Sequence, residues 1–280
     1  MIPSTTLVII GPTASGKSLL SIKKAKEVGA EVISADTVQV YRDFTIGSAK
    51  LTESEMGGVP HHLVGHVHPE HPYNVQQFLD DVTTLKAQLS GPIIICGGAA
   101  LYLRALLYGY EPLQRLPDHD KPTGSAEDLW QKLKDIDPEL ASKTPFQNKA
   151  RVQRYLELYL IYNQPPSQLF KSRTICDPSY TVIGISIERT ELKERINTRV
   201  NEMIHKGLVD EVKYLMKKYS GMAPAFRAIG YKEVIQYLQN FHDKDTMIQT
   251  IKKNTFDYAK RQMTWFKRFN NVQWIPNDSI

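Results

Sequence analysis

The sequence predicts an α/β fold: a P-loop core of parallel strands flanked by helices and interrupted by a small helical insertion. Three observations predict it. A β-branched apolar run over residues 5–10 feeds directly into Gly11-Pro12-Thr13-Ala14-Ser15-Gly16-Lys17-Ser18, and then into a helical stretch over 19–28. Two further short apolar runs, 31–35 and 93–96, alternate with helical patterns, which is how a parallel sheet is written in a sequence. Between them and the last third lies a stretch with helical periodicity alone, set off by a Pro-rich, charged linker. The expected units are therefore a core over 1–112, an insertion over 113–170 and the rest of the core over 171–280.

The first element is the most informative. G-x-x-x-x-G-K-S between a strand and a helix is the P-loop pattern. Gly11 and Gly16 let the backbone turn tightly and aim N–H groups inward, and the helix start adds its positive dipole end. Lys17 brings a full charge to the outer phosphate, and the Ser18 hydroxyl can ligate Mg²⁺. Residues 11–18 are thus the candidate cradle for a diphosphate or triphosphate. Gly29 closes the helix, and the second strand, 31–35, ends at Asp36. Ligands of parallel sheets sit at the carboxyl ends of strands, so Asp36 belongs at the same edge as Lys17. An acid there binds a metal through water or accepts a proton from a nucleophile, and a helix cap is the competing role.

His61, His62, His66, His68 and His71 crowd the following loop. They have no Cys partner and no helical i,i+4 spacing followed by a base, so hydrogen-bonded loop histidines are expected rather than a metal site. Residues 74–89 form an amphipathic helix with Val75, Phe78, Leu79, Val82 and Leu85 on one face, broken by Gly91-Pro92. The third strand, 93–96, runs into Gly97-Gly98 and a helix over 99–107. It lacks the terminal Asp of a Walker B strand, which argues against a routine ATPase.

Composition excludes little else. With 280 residues, 41% of them hydrophobic, the chain has length enough for a full core. A formal charge of +5 leans toward an anionic partner. No stretch approaches the ~18 apolar residues of a membrane span. The two cysteines, Cys96 and Cys176, lack metal-ligand spacing, suit a reducing cytosol and are assigned no part in the chemistry.

Five motifs occur in order: 11–18, Ile33-Ser34-Ala35-Asp36-x-x-Gln39-x-Tyr41-Arg42, Ile46-Gly47-x-Ala49-Lys50, Val59-Pro60-His61-His62-Leu63 and Gly97-Gly98-x-x-Leu101-Tyr102. Together they resemble the tRNA dimethylallyltransferases, and the likeness covers nearly the whole chain. The resemblance implies a cytoplasmic, monomeric enzyme. It would move a dimethylallyl group from dimethylallyl diphosphate to the exocyclic amine of the adenine 3′-adjacent to the anticodon, with Mg²⁺. By that resemblance Asp36 is the general base, Lys17 and Thr13 serve the leaving diphosphate, and Asp36, Thr37, Val38, Gln39 and Ala99 meet the tRNA.

The insertion begins with a linker over 110–123. A Ser125-capped helix follows with Leu129, Trp130, Leu133 and Ile136, and then a second helix over 148–162. Arg151 and Arg154 share a flank of that helix, and the spacing puts them clear of Glu157. The resemblance makes this insertion the grip on the anticodon stem-loop, through Arg151, Gln153 and Arg154. Four features depart from the family's pattern. Asn148 stands where Asp is usual, Ala99 where Thr is usual and Asn163 where Gly is usual, and the insertion is short.

The last third opens with a strand over 180–187 and continues with helical periodicity over 190–217, with a break expected at Gly207. Arg195 and Arg199 lie four apart on one face, and the resemblance assigns an arginine of this segment to the diphosphate, Arg199 being the choice. Ala228-Ile229-Gly230-Tyr231-Lys232-Glu233 and Tyr258-Ala259-Lys260-Arg261-Gln262-Met263-Thr264-Trp265-Phe266 match further family motifs. Residues 251–270 hold six positive side chains and one Asp. Basic residues interleaved with aromatics suit an RNA backbone, with Lys260 and Arg261 as the contacts, or an amphipathic helix with its aromatics inside. The zinc finger that some members of that family append is not expected in the residues that follow. The rival readings are an isopentenyltransferase of free adenine nucleotides, a small-molecule kinase and a non-catalytic RNA-binding protein.

Overall fold

The computed structural model describes residues 6–110, 112–169, 175–221 and 223–279. The expected strand start at residue 5 and the expected boundary at 170–171 lie outside them. The chain divides into two compact units, Met1–Gly109 with Ile175–Ile280, and Tyr110–Thr174.

In the larger unit the chain runs β1 (Thr6–Ile10), α1 (Lys17–Val28), β2 (Glu31–Ala35), α2 (Glu53–Met56), β3 (His61–His62), α3 (Val75–Gln88), β4 (Ile93–Gly97) and α4 (Ala100–Tyr108). The smaller unit contributes α5 (Ala126–Ile136), α6 (Pro138–Ser142), α7 (Lys149–Tyr162) and α8 (Pro166–Leu169). The larger unit resumes with β5 (Tyr180–Ser186), α9 (Arg189–His205), α10 (Leu208–Lys218), α11 (Tyr231–Leu238), α12 (Lys244–Phe266) and β6 (Val272–Pro276).

The strands form one six-stranded sheet in the order β3-β2-β4-β1-β5-β6, every pair parallel. Both faces are covered, and the period of two in each strand divides its side chains between them. Val8, Ile10, Ile33, Ala35 and Ile95 pack with Phe78 and Val82 of α3, Leu103 and Leu107 of α4, and Phe266 of α12. Ile9, Val32, Ile94, Cys96 and Ile185 pack on Leu20, Ile22 and Ala25 of α1. A further cluster joins Leu192, Ile196 and Val200 of α9 to Val212 of α10, Tyr231 of α11, and Met247 and Ile251 of α12. The expected break between α9 and α10 falls at Gly207, in the left-handed region at φ 96°.

β3 and β6 carry no sequence pattern strong enough to announce them. β3 has two residues, and β6 is an edge strand whose Trp274 stays partly exposed.

Close approach explains two glycines. A Cβ on Gly97 would lie 2.0 Å from Ala35 O on the neighbouring strand, and one on Gly47 would lie 2.6 Å from the Tyr231 ring. Gly97→Ala is expected to destabilise the fold by about 1–3 kcal/mol or more, the range for overpacking a core. Thermal melting checks this, and an unchanged Tm would mean that β2 and β4 separate freely.

In the smaller unit α5, α6 and α7 enclose Leu129, Leu133, Ala141, Val152, Leu156 and Leu158. Trp130 Nε1 donates to Thr144 O at 2.8 Å, and buried Asp137 caps α6 while accepting from Ser167 N at 2.8 Å. Asn163 ends α7 in the left-handed region at φ 49°, which Asn tolerates, so this departure from Gly keeps the cap. Asn148 sits at the N-cap of α7 without a capping side-chain bond.

One expectation is corrected here. Arg154 is not clear of Glu157: its Nη1 lies 2.8 Å from Oε2 of that buried carboxylate, and its Nη2 donates to Leu113 O at 3.0 Å. Spacing alone misjudged the pair, because i,i+3 side chains meet on a helix. Gln153 also turns inward, donating to Pro122 O at 2.7 Å. Arg151 stays exposed, with Nε donating to Tyr155 OH at 2.7 Å.

Candidate active site

β1 delivers the chain into the loop, and α1 starts at Lys17 with Gly16 at φ 96° as its N-cap. Ala14, at φ 63°, holds a left-handed conformation without being glycine, a strain that surrounding structure must sustain. A Cβ on Gly11 would come 2.9 Å from Ser15 Oγ, so close packing requires glycine there. Ser15 is fully buried. Lys17 Nζ donates to Pro12 O at 2.7 Å, across the loop. Burial pulls the Lys17 ammonium down to about 8; Cys96 and Asp36 oppose the shift and Arg199 adds to it. Ser18 is exposed at the helix start, and its Oγ has no hydrogen-bond partner among the described residues.

Thr13 is held twice. Its N–H donates to Gln262 Oε1 at 2.8 Å, and its Oγ1 accepts from Arg199 Nη1 at 3.3 Å. Between the two candidate arginines, then, Arg199 reaches the loop. Arg195 pairs with Glu191 at 2.8 Å.

Asp36 follows β2 at the carboxyl edge of the sheet. It caps no helix. Its Oδ1 accepts from Val38 N at 2.8 Å and Gln39 N at 3.1 Å, forming an Asx turn. Oδ2 has no protein partner among the described residues.

These groups surround two cavities of about 890 and 340 Å³. The larger takes in Thr13–Ser18, Lys50, Cys96 and Gln262. The smaller takes in Thr37, Val38, Gly47, Arg227, Gly230 and Arg261. Thr13, Asp36, Ser48, Arg199, Met203 and Tyr258 line both. The sheet edge thus joins the P-loop cavity to a second chamber whose exposed arginines, Arg227 and Arg261, are cationic.

Some predicted residues fall outside this junction. Gly11 and Pro12 line neither cavity, although Pro12 O receives Lys17. Ala99 is buried at the N-cap of α4, and Lys260 pairs with Asp257 at 2.6 Å; neither lines a cavity. Gln39 lines the larger cavity but spends its amide on Ser48 O and Ala49 O. Cys96 requires a correction. Cys96 lines the large cavity close enough to influence Lys17, because it is the penultimate residue of β4, the strand beside β1. The histidines form no metal-binding group among the described residues; His62 pairs with Glu31 at 2.5 Å and His66 with Asp81 at 3.3 Å.

The sequence reading missed Glu211. Its carboxylate accepts from the N–H groups of Thr45, Ile46 and Gly47 at 3.2, 2.7 and 3.1 Å, and from Tyr231 OH at 2.8 Å. Tyr231 OH in turn accepts from Ser48 N at 3.1 Å. This clamp shapes the loop that separates the two cavities. The 46–50 and 228–233 motifs were visible separately; nothing local in either names a glutamate on α10 as their link.

The site is thus a P-loop at the edge of a parallel sheet that opens onto a second chamber, with a carboxylate at the junction and none at the end of β4. The family model for IPP transferase matches residues 39–269, and that for isopentenyl transferase matches residues 4–66. The tRNA dimethylallyltransferase of Acetivibrio thermocellus is 38% identical, over 98% of this chain and 92% of its own length. That of Thermosipho melanesiensis is 39% identical, over 98% and 93%. The full-length tRNA isopentenylpyrophosphate transferase structure from Bacillus halodurans superposes with a TM-score of 0.72 at 35% identity, covering 98% of this chain and 90% of that one. A eukaryotic dimethylallyltransferase captured acting on tRNA superposes at 0.76 with 27% identity, covering 98% and 74%. This chain belongs to the IPP transferase family, whose curated members include the tRNA dimethylallyltransferases. No described helix is long and apolar enough to cross a membrane.

Proposed function

We propose that this protein, as a cytoplasmic monomer, transfers the dimethylallyl group of dimethylallyl diphosphate to the exocyclic amine of the adenine 3′-adjacent to the anticodon in tRNA, releasing diphosphate. The observation that carries this reading is the junction of the two cavities at Asp36, Thr13 and Arg199. The diphosphate lies in the cradle formed by residues 13–18, with Lys17, Arg199 and the Thr13 hydroxyl on its oxygens. The adenine, turned out of its loop, enters the smaller chamber past Arg227 and Arg261. Flipping a base that is already partly unstacked costs little.

The amine nitrogen forms its bond to the first allyl carbon as that carbon's bond to the diphosphate oxygen breaks. The bonding electrons leave with the diphosphate, where cationic groups meet the growing charge. The amine proton passes to Asp36 Oδ2, the oxygen that the Asx turn leaves free. Mg²⁺ fits this donor set: it prefers phosphate and water oxygens with one or two protein ligands, and Ser18 Oγ has no other partner among the described residues. It would supply further neutralisation of the leaving group.

In the insertion, Arg151 is the RNA-facing candidate. Arg151→Ala is expected to weaken tRNA binding and to lower the slope of log affinity against log salt by about 0.7–0.9, the value for one phosphate contact. Arg154→Ala is expected instead to lower Tm, because buried Glu157 loses its cation. Salt titrations and melts of both variants check the division; the reverse pattern would exchange their roles.

The activity is tested with labelled dimethylallyl diphosphate, Mg²⁺ and three acceptors in parallel. They are unmodified tRNA with adenine after the anticodon, the same tRNA with guanine there, and AMP. Label in the first alone is expected. Label in AMP would make the protein a nucleotide prenyl transferase, and no label in folded protein would turn attention to phosphoryl transfer.

A further inference from the structure

Gln262 lies on α12, 249 residues from the loop it touches. It is buried, and its carboxamide is used at both ends. Oε1 accepts from Thr13 N at 2.8 Å, and Nε2 donates to Gly98 O at 2.8 Å. A Cβ at position 98 would sit 2.3 Å from that Nε2, so the second glycine of Gly97-Gly98 makes room for this side chain. Among the described residues, this is the hydrogen bond by which α12 reaches the P-loop.

The consequence lies in what Thr13 can do. Its N–H is directed at α12 rather than at an anion, and its Oγ1 is paired with Arg199. Fixing the peptide fixes where the hydroxyl and its guanidinium partner stand. One turn earlier on α12, Tyr258 lines both cavities, and Arg261 lines the smaller. We propose that Gln262 is a positioning residue for the diphosphate site: it locks the Thr13 peptide to α12 and to the loop after β4, so that Thr13 Oγ1 and Arg199 face the leaving group. This rests on the reading of the P-loop as a diphosphate site.

The side chain must both accept and donate. Gln262→Glu keeps the shape and the acceptor. When ionised it loses the donor to Gly98 O and adds a negative charge against the cradle. When protonated, its O–H restores the donation and the charge disappears. Gln262→Met keeps the length and loses both bonds at every pH.

The test compares the parent, Gln262→Glu and Gln262→Met from pH 5.5 to 8.5, by calorimetric binding of inorganic diphosphate with Mg²⁺ and by steady-state prenyl transfer to tRNA. At pH 8 both variants are expected to bind diphosphate about tenfold or more weakly, with KM for the allyl diphosphate rising in step, the loss expected when buried partners are left unpaired. As pH falls, the Glu variant is expected to recover toward the parent while the Met variant does not. A deficit identical for both at every pH, or none at pH 8, would overturn the proposal. Should the Glu variant fail to fold, the Met variant binding diphosphate as the parent does would also overturn it. Diphosphate binding to the parent without prenyl transfer would remove the functional reading and leave the role of Gln262 still measurable by binding.

Discussion

Asp36→Asn is expected to lower turnover by about 10²–10⁴-fold, the range for losing a general base, with tRNA affinity almost unchanged. The asparagine retains Oδ1, so the Asx turn that accepts from Val38 N and Gln39 N survives and the loop between the cavities keeps its course. What disappears is the carboxylate that, in the proposed reaction, takes the proton from an aromatic amine whose lone pair is delocalised. Asp36→Ala removes the turn as well and is expected to be at least as slow. Single-turnover rates and equilibrium tRNA binding on the same preparations check this. A loss of affinity that accounts for the whole rate deficit would make Asp36 an RNA-docking residue instead.

Lys17→Met is expected to reduce diphosphate binding by about 10²-fold or more, because a buried ion pair loses one partner. The site holds this ammonium at a cost, since burial draws it down to about 8. Removing the charge relieves that desolvation, so the ligand-free variant is expected to melt no lower than the parent. The sign of the pH dependence follows. Below about 8 Lys17 is protonated and ready for the anion; above it the free site loses its proton, and binding must take one up. Affinity of the parent for allyl diphosphate should therefore fall between pH 8 and 9.5 by up to about tenfold per unit, with uptake approaching about one proton per ligand. Calorimetry in two buffers of different ionisation enthalpy measures both. Flat affinity across that range, or an equal slope in Lys17→Met, would assign the titration to another group.

Much of this was legible in the chain. The P-loop is a local device: eight consecutive residues make the turn, the N–H cradle and the helix start, so their order alone announces them. The sheet was readable at β1, β2, β4 and β5, because strands covered on both faces are written as continuous apolar runs. β3 and β6 were not, being short or on an edge with little to bury. Asp36 could be brought to the edge beside Lys17 from the logic of parallel strands, before any distance was known.

Contacts between distant segments could not be read in this way. Glu211 clamps a loop some 165 residues earlier, and Gln262 holds Thr13 across 249. Neither sits in a local pattern that names its partner, since a buried polar side chain is defined by what the fold brings against it. The same reason governs the errors. Spacing on a helix does not show that Glu157 is buried beneath Arg154, and nothing local in the third strand places the Cys96 thiol beside Lys17. Short-range geometry was enough to specify the class of fold, the P-loop turn and the acid beside it. Tertiary structure alone decided how the two cavities meet and which polar side chains hold the cradle in place, because those depend on groups that only packing makes neighbours.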